Sequence, residues 1–398
     1  MTGALLAPLQ QLPRLDGSAR RILVVLRGGL PDAVLAQGLL GGLRLRHPSV
    51  QVHVTAPLKH AKSIQRHRSF AQVIPFPDGV GLQDADPWAN PDLRRALNRI
   101  QELRFDAALA PSPQRDPLTD ALVLASQAPL RIGWQSSHLL GGGEPDSAGW
   151  NAFYTHLLPT ADAPYPEPER YRHFTSRLGL DPGPEALAWP GDANLAKAVQ
   201  AKLSQAGWKG GPLVGVWFPP QSGTGFTRWG EVLGPVLDRG LGVVLLGPGG
   251  GRLALGGAGL DLRATLSIEE QFECMALCRV VMGTEGPWIY PCAARKIPQV
   301  ILAGGGEFGR HAPVTDFATV VCHPLACYFC AWACDQGGHA CLGGLPPEVV
   351  GEALRRALEA PSPRPSLVYR APDPEGAIAP LDLESMLVPG SLDVVRMD

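Results

Sequence analysis

The sequence lacks cysteine over its first 273 residues, and all eight cysteines lie between Cys274 and Cys341. A small secreted domain that is held together by disulfides spreads its cysteines along the chain. This distribution therefore excludes a disulfide framework for most of the protein. Confinement of the cysteines to one stretch indicates a local thiolate site instead.

The chain also lacks a strong charge of either sign and a long apolar run. Its 35 lysines and arginines nearly balance its 37 aspartates and glutamates. This balance excludes a generalised nucleic-acid binder, because counterion release requires a concentrated cationic surface. No apolar stretch approaches the roughly 20 residues of a membrane-spanning helix, and residues 1–20 lack the basic start and apolar core of a secretion signal. We expect a cytoplasmic protein that has no integral membrane segment and binds no nucleic acid.

The 398 residues suffice for two domains of ordinary size. Short apolar runs, typical of buried parallel strands, alternate with segments of helical periodicity. The predicted strands are 21–26, 50–54, 73–76, 107–110, 131–134, 213–218, 242–246, 280–282 and 299–302, and the predicted helices include 32–45, 268–277 and 347–358. We expect an α/β fold with two Rossmann-like domains and a cleft between them. This suggests a GT-B-like architecture, although flavodoxin-like or periplasmic-binding-like pairs have the same periodicity.

A polar stretch rich in proline and glycine, at about 161–192, separates the two series of strands and is typical of an interdomain region. The predicted boundaries are an N-terminal extension at 1–20, a first domain at 21–180, a connection at 181–211, a second domain at 212–360 and a linker with a tail at 361–398. We expect the tail to pack across the domains or to stay partly disordered.

The turn after the first predicted strand carries Gly28, Gly29 and Asp32. Ligands of open parallel sheets bind beyond the carboxyl ends of the strands, where glycine amides can approach them. Two interpretations of Asp32 remain open: it faces such a ligand, or it caps the following helix, a role that aspartate fills well.

Three more glycine-bearing loops follow strands in the second half of the chain. The first of them offers hydroxyls and a guanidinium that suit phosphate oxygens, but an ordinary polar connection explains it equally well. It is not a P-loop, because the order GxxxxGK[ST] is missing. The candidate binding residues in the three loops are Ser222, Thr224, Thr227, Arg228, Gly247, Thr284, Glu285, Gly286 and Pro287.

Four of the cysteines follow the spacing C-x2-C-x3-C-x6-C, at Cys327, Cys330, Cys334 and Cys341. Four thiolates complete a tetrahedral shell and leave no open catalytic position. The spacing therefore predicts a structural zinc or iron site in a cysteine-rich insertion at 327–341. Disulfides, free buried thiols and a redox site are the alternatives.

A basic segment, KHAKSIQRHR at 59–68, contains six lysine, arginine or histidine residues in ten. It is either the solvated face of a helix or a cationic lip that attracts an anionic molecule. The candidate cations are Lys59, Lys62, Arg66 and Arg68.

Taken in order, these motifs resemble glycosyltransferase family 9, the ADP-heptose-dependent heptosyltransferases, over residues 21–358. The first half is similar in RILVVLRGGLPDAVLA, RLRHPSVQVHVTAP, QVIPFP, FDAALAPSP and PLRIGW. The second half is similar in LVGVWFPPQSGTGFTRWGEV, LGVVLLGP, DLRATLSIEEQFECMALCRVVMGTEGP and CLGGLPPEVV. The segment GGGEFGRH ahead of the cysteines resembles a cysteine-containing subgroup to which protein O-heptosyltransferases are similar.

The resemblance implies a GT-B fold, an acceptor site on the first domain and a nucleotide-sugar donor, favouring ADP-heptose, on the second. It implies inverting transfer without a catalytic metal, with Asp32 as general base. Gly28 and Gly29 stand where the family often has serines that touch the diphosphate, so only their amides could serve. The implied acceptor is a glycolipid, a protein or a small molecule, bound beside the basic segment. A homo-oligomer is left open.

The chain departs from the family pattern at two loops. Thr227 replaces a common lysine and is followed by Arg228, which could supply the charge from another backbone position. The family run Asp-Ser-Gly-Pro-Met-His is TEGPWI at 284–289, so the aspartate and the histidine are lost and a carboxylate moves by one position. The alternative function is therefore a non-catalytic binding or assembly protein that uses the GT-B scaffold and the thiolate insertion.

Overall fold

The structure is a computed structural model. It describes residues 19–66, 70–79, 87–113, 115–135, 150–159, 165–182, 189, 191–218, 225–248, 259–263, 265–312, 315–334, 339–359, 364–373, 376, 378–383 and 392–397. The chain divides into two compact units, 1–188 and 189–398. None of the helices in the described ranges is long and apolar enough to span a membrane.

The first unit contains a six-stranded parallel sheet of order β3-β2-β1-β4-β5-β6. Its strands are β1 (Arg21–Val24), β2 (Gln51–Pro57), β3 (Gln72–Phe76), β4 (Ala107–Ala110), β5 (Leu130–Trp134) and β6 (His156–Leu158). Its described helices are α1 (Leu30–Leu35), α2 (Gln37–Arg46), α3 (Leu58–Arg66), α4 (Pro91–Leu103), α5 (Pro117–Ala125) and α6 (Glu167–Arg177). In the central register, Ile22 lies opposite Val52 and Ala107.

The core of the first unit forms because its central strands β1 and β4 bury runs of apolar side chains. Ile22, Leu23 and Val24 are fully buried, as expected for a strand that helices cover on both faces. Leu23 belongs to a cluster that also contains Leu93 and Ile100 of α4. Burial of such side chains contributes roughly 1.5–3 kcal/mol each, and the cluster holds the strand ends in place.

The second unit contains an eight-stranded parallel sheet of order β14-β13-β12-β11-β10-β7-β8-β9. Its strands are β7 (Leu213–Trp217), β8 (Gly242–Leu246), β9 (Gly259–Asp261), β10 (Cys278–Thr284), β11 (Gln299–Leu302), β12 (Ala318–Cys322), β13 (Ser366–Arg370) and β14 (Asp393–Met397). Its described helices are α7 (Ala193–Gln205), α8 (Trp229–Asp238), α9 (Ile268–Met275), α10 (Ile289–Ala294), α11 (Ala340–Gly343) and α12 (Pro347–Glu359). Val281 of β10 lies opposite Gly215 and Gln299.

Each sheet has one switch point, where the direction of the strand order reverses. It falls between β1 and β4 in the first sheet and between β7 and β10 in the second. Open parallel sheets bind ligands in the crevice at the carboxyl end of such a strand pair. The loops after β1 and β10 are therefore the candidate sites, each considered within its own unit.

The structure departs from the sequence prediction at the chain's less periodic parts. The predicted helix 32–45 is two helices, because the Ala36 amide bonds to the carbonyls of Asp32 and Val34 and ends α1. The range 181–211, expected as a connection, contains α7, which packs on α9. The range 361–398, expected as linker and tail, contains β13 and β14. The first of these extends the sheet by pairing with β12, and β14 pairs with β13.

Candidate active site

The carboxylate of Asp32 lies at the switch point of the first sheet. Its Oδ2 accepts hydrogen bonds from the backbone amides of Gly28 at 2.6 Å and Arg27 at 3.0 Å. The N-cap of α1 is Gly29, which makes no side-chain cap hydrogen bond. Asp32 therefore reaches back to hold the turn between β1 and α1, and its Oδ1 receives no hydrogen bond from the described residues.

Two glycines allow this arrangement. A Cβ at position 28 would lie 2.5 Å from Oδ1 of Asp32, so any side chain there would displace the carboxylate. Gly29 has φ +75°, and a Cβ would lie 2.3 Å from Cδ2 of His60. Thr55 of β2 fixes the start of the loop, since its hydroxyl bonds to both the amide and the carbonyl of Leu26 at 3.0 Å.

The surroundings of Asp32 raise its pKa. Burial is the largest cause, and the negative charge of Glu167 acts in the same direction. The amides of Gly28 and Arg27 and the charge of Arg27 oppose this effect. A carboxylate whose pKa is raised accepts a proton more readily, which suits a general base.

An ion pair crosses the same switch point. The Arg27 guanidinium donates from Nε and Nη2 to the Asp116 carboxylate, with a shortest distance of 2.6 Å. Asp116 also caps α5 by accepting from the Thr119 amide and hydroxyl, both at 2.7 Å. Burial opposes ionisation of Asp116, but these partners outweigh it and lower its pKa.

A second polar cluster lies on the loop after β4. Arg115 pairs with Asp120 at 2.9 Å and donates to the Trp134 carbonyl and the Asn151 side chain. Its guanidinium lies 4.1 Å above the centre of the Tyr154 ring, whose hydroxyl donates to Asp120 at 2.7 Å. Sequence analysis missed this cluster and the Arg27 pair, because the partners are far apart in the chain and share no motif.

The carboxyl group of Glu285 occupies the corresponding position in the second sheet. Its Oε2 accepts from the Gly304 amide at 3.3 Å, whereas its Oε1 is buried without a hydrogen-bond partner in the described part of the chain. The Trp288 indole donates to the Thr284 carbonyl at 2.8 Å and fixes the turn. Gly286 is partly exposed and Pro287 is exposed at the tip of this turn.

The pKa of Glu285 is raised to about 8. Burial is the main cause, the Gly304 amide opposes it, and the negative charge of Glu307 adds to it. Glu307 stays ionised, since His311 and Arg310 hold its pKa at about 2 against the effect of burial. The second switch point therefore carries a carboxyl group that keeps its proton to a higher pH than an ordinary glutamate does.

The other candidate residues of the donor site differ in the contacts that they make. The Gly247 amide donates to Oε1 of buried Gln271 at 2.6 Å, and the Gln271 side chain returns a bond to the Gly247 carbonyl. Arg228 donates from Nη2 to the Leu345 carbonyl, whereas Thr227 is exposed. Ser222 and Thr224 lie outside the described residues.

The basic segment forms most of α3. Lys59, Lys62 and Arg66 lie on one exposed face, while His60 and Ile64 are buried on the other. The cations therefore share a surface, as either interpretation of the segment requires. Arg68 lies outside the described residues.

The four cysteines of the predicted metal site share one neighbourhood. Cys327, Cys330 and Cys334 are partly exposed and Cys341 is buried. Burial raises the pKa of the Cys341 thiol, and the other three thiols act on it in the same direction, while the Gly305 amide, 3.3 Å from its sulfur, opposes them. Across the described ranges, no three histidine, cysteine or acidic side chains are arranged to hold a metal ion. The metal site stays a prediction.

Comparison with solved structures identifies the fold. A family 9 glycosyltransferase from Veillonella parvula superposes with a TM-score of 0.69 at 16% identity, covering 87% of this chain and 98% of that one. The chain has the fold of these glycosyltransferases. This result confirms the expected two-domain α/β fold class, whereas the cysteine-rich insertion stays a prediction.

Two heptosyltransferases of Escherichia coli are also similar. The ADP-heptose LPS heptosyltransferase II gives a TM-score of 0.61 at 19% identity, with coverage of 85% and 98%. The heptosyltransferase WaaC gives 0.55 at 18% identity, with coverage of 78% and 95%. No family model and no curated protein matches the chain.

Proposed function

We propose that the protein is an inverting glycosyltransferase that moves a heptose or a related sugar from an ADP-linked donor to an acceptor hydroxyl. The observation that carries the proposal is the position of Asp32. Its carboxylate lies at the switch point, two amides hold one oxygen, and the other oxygen is without a partner among the described residues. Such an oxygen is available to accept a proton from a bound hydroxyl.

In the proposed reaction, Asp32 removes the proton of the acceptor hydroxyl as its oxygen attacks the anomeric carbon. The bond between that carbon and the phosphate oxygen breaks, and the nucleoside diphosphate leaves with the electron pair. Attack from the face opposite the leaving group inverts the configuration. The raised pKa of Asp32 favours proton uptake.

The similar structures favour this donor class. One of the E. coli proteins is described as an ADP-heptose heptosyltransferase, and WaaC was solved with ADP-2-deoxy-2-fluoro heptose. We assign the donor to the second unit and the acceptor to the first. The proposed donor contacts include Thr284, Glu285 and Gly286, and the exposed cations of α3 are proposed to attract the acceptor.

The test is turnover of ADP-sugars with candidate acceptors, measured as ADP release. Asp32→Asn should lower kcat by about 10²- to 10⁴-fold, the usual contribution of a general base, while ADP affinity stays close to that of the wild type. Unchanged turnover in this variant would contradict the assignment of the base.

Asp106→Asn is the matched control. Asp106 also accepts two backbone amides, from Arg20 at 2.7 Å and Arg21 at 2.8 Å, but at the amino end of β1. It should lose a comparable structural contact and retain turnover. Equal loss of turnover in the two variants would assign the effect to the fold instead of the chemistry.

A non-catalytic binding or assembly role is the second candidate. Two residues that were expected to bind the nucleotide sugar make hydrogen bonds within the protein instead, which favours this role. Arg228 donates to the Leu345 carbonyl, and the Gly247 amide donates to the Gln271 side chain. Calorimetric titration with ADP separates the two functions. ADP binding together with sugar transfer rejects the scaffold role, whereas absence of both rejects the enzyme.

We also propose that Cys327, Cys330, Cys334 and Cys341 hold a structural zinc or iron ion. The donor set fits, because four thiolates are typical ligands of both metals, and the four thiols act on one another electrostatically. Elemental analysis of protein prepared without added metal should find about one equivalent. Cys330→Ser should lose it, and Cys292→Ser, which alters a buried thiol elsewhere in the unit, should keep it. Less than about 0.2 equivalents in the wild type refutes the site.

A further inference from the structure

The carboxyl group of Glu285 has an unusual environment. This residue is partly exposed at the turn after β10, yet its Oε1 is buried and has no hydrogen-bond partner among the residues that the structure describes. Buried polar atoms almost always have a partner in folded proteins. An orphan oxygen at the carboxyl edge of a parallel sheet, where ligands bind, therefore points to a bound molecule.

The protonation state decides what this oxygen can do. The groups that act on Glu285 are the Gly304 amide and the ionised carboxylate of Glu307, and no lysine or arginine of the described chain offsets them. The Cys322 thiol at the end of β12 is near enough for an ionised Glu285 to raise its pKa, although burial is the larger cause. These surroundings favour a neutral carboxylic acid at neutral pH.

A neutral carboxyl group has one hydroxyl donor and one carbonyl-type acceptor. Oε2 already accepts the Gly304 amide, so the hydroxyl is placed on Oε1. The hydroxyl on this buried atom therefore lacks an acceptor among the described residues. Hydroxyl, carbonyl and phosphoryl oxygens of a nucleotide sugar have that chemistry.

We propose that Glu285 binds the donor as a neutral acid, with its Oε1 hydroxyl donating a hydrogen bond to an acceptor atom of the nucleotide sugar. This inference rests on the proposed function and adds a protonation state to it. Ionisation removes the only hydrogen that Glu285 can donate. It also places a negative charge against an anionic ligand, so donor affinity must fall as pH rises through the pKa of this group.

Calorimetric titration with ADP at several pH values from about 7 to 9.5 tests the proposal. The neutral fraction of a group with a pKa of about 8 falls roughly thirtyfold over this interval, so the wild-type affinity should fall by up to that factor. Glu285→Gln, which keeps the shape and a hydrogen-bond donor, should bind as the wild type does near pH 7. Its affinity should not show this fall.

The control is Glu231→Gln, which changes an exposed carboxylate of the same unit and should keep the wild-type profile. Persistence of the wild-type profile in Glu285→Gln, or a wild-type profile that is flat with both ADP and an ADP-sugar, overturns the role of Glu285. Failure of the wild type to bind ADP or any ADP-sugar at every pH instead contradicts the proposed function.

Parallel titrations with adenosine and an ADP-sugar locate the acceptor atom. A pH effect that depends on Glu285 and is shared by adenosine and ADP places the atom in the nucleoside. An effect that appears first with ADP places it in the diphosphate, and one that appears first with the ADP-sugar places it in the sugar. Each of these results supports the proposal.

Discussion

The loops at the strand ends of the two units use their backbone amides differently. In the first unit, the amides of Arg27 and Gly28 hold Asp32, whose second oxygen is without a partner among the described residues. In the second unit, the Gly247 amide is bound by Gln271, and the Gly304 amide is bound by Glu285. Glycine loops at strand ends are therefore not equivalent, because internal side chains already occupy some of their amides.

The charges of the two loops differ as well. Asp32 lies near the Arg27 guanidinium, which opposes the rise in its pKa, whereas Glu285 lies near the Glu307 carboxylate, which adds to the rise. The first loop is suited to a carboxylate that gains a proton during reaction. The second is suited to a carboxylic acid that already has one.

The largest effect is a loss of stability expected at Gly247, where the comparison of the two units predicts a structural role. Its φ is +115°, and a Cβ would lie 2.2 Å from the Phe218 carbonyl oxygen. Gly247→Ala should lower the free energy of unfolding by about 3 kcal/mol or more, from backbone strain and overpacking. Urea denaturation measures the loss.

Gly240→Ala separates the two causes. Gly240 has φ +75° but nothing within 4 Å of a built Cβ, so strain alone should cost about 1–2 kcal/mol. An equal loss in the two variants would contradict the importance of the Phe218 contact.

The next largest effect is a loss of turnover expected at Gly28, where the comparison of the two units predicts a functional role. A methyl group there would push the Asp32 carboxylate out of its position, since the built Cβ lies 2.5 Å from Oδ1. Gly28→Ala should reduce turnover by about 10²-fold, as expected when a reacting group moves by about 1 Å. Gly230→Ala, at a position in α8 of the second unit where a built Cβ has nothing within 4 Å, should change turnover by less than about threefold. Similar rates for both variants would remove the functional role of Gly28.

A smaller effect is expected at the helix caps of the two units. Asp116→Ala removes the cap of α5 and the partner of Arg27, and should cost about 1–2 kcal/mol. Ser267→Ala removes a capping box at α9, where Ser267 and Glu270 exchange hydrogen bonds, and should cost about 1 kcal/mol. Thermal unfolding compares them, and a greater loss from Ser267→Ala would contradict an added role for the Arg27 pair.

The smallest effect is a change of stability with pH, expected from protonation of His53 in β2. It packs edge-on against Phe105, and both of its ring nitrogens are buried without partners in the described ranges. Burial lowers its pKa. The unfolded chain therefore binds the proton more readily, so stability should fall as pH drops below about 6.5 and level off below the folded pKa. His53→Leu should flatten this part of the pH profile in denaturation experiments. An unchanged slope would show that other groups produce it.

Most central strands could be predicted from the sequence because they are short and mainly apolar runs, but β12 and β13 inside the second sheet were not predicted. The predicted ranges 107–110, 242–246 and 299–302 coincide with β4, β8 and β11. The edge strands β6, β9 and β14 have three to five residues each and too little periodicity to be predicted. They form because a neighbouring strand supplies their hydrogen bonds.

The position of Asp32 at a strand end followed from the spacing of Gly28, Gly29 and Asp32, since a short apolar strand must end there. The hydrogen bonds from Oδ2 to two preceding amides did not follow from it. They depend on the left-handed conformation of Gly29 and on the Thr55 side chain that fixes Leu26 from another strand.

By itself, the sequence determined the alternation of strands and helices, the grouping of the thiols and the glycine-carboxylate turn, because these depend on neighbours in the chain. Tertiary structure alone decided which amides are occupied, which cation faces Asp116, and what raises the pKa of Glu285. Those properties depend on Gln271, Arg27 and Glu307, which lie on other loops and elements. Burial and charge act through space, and the fold brings these groups together.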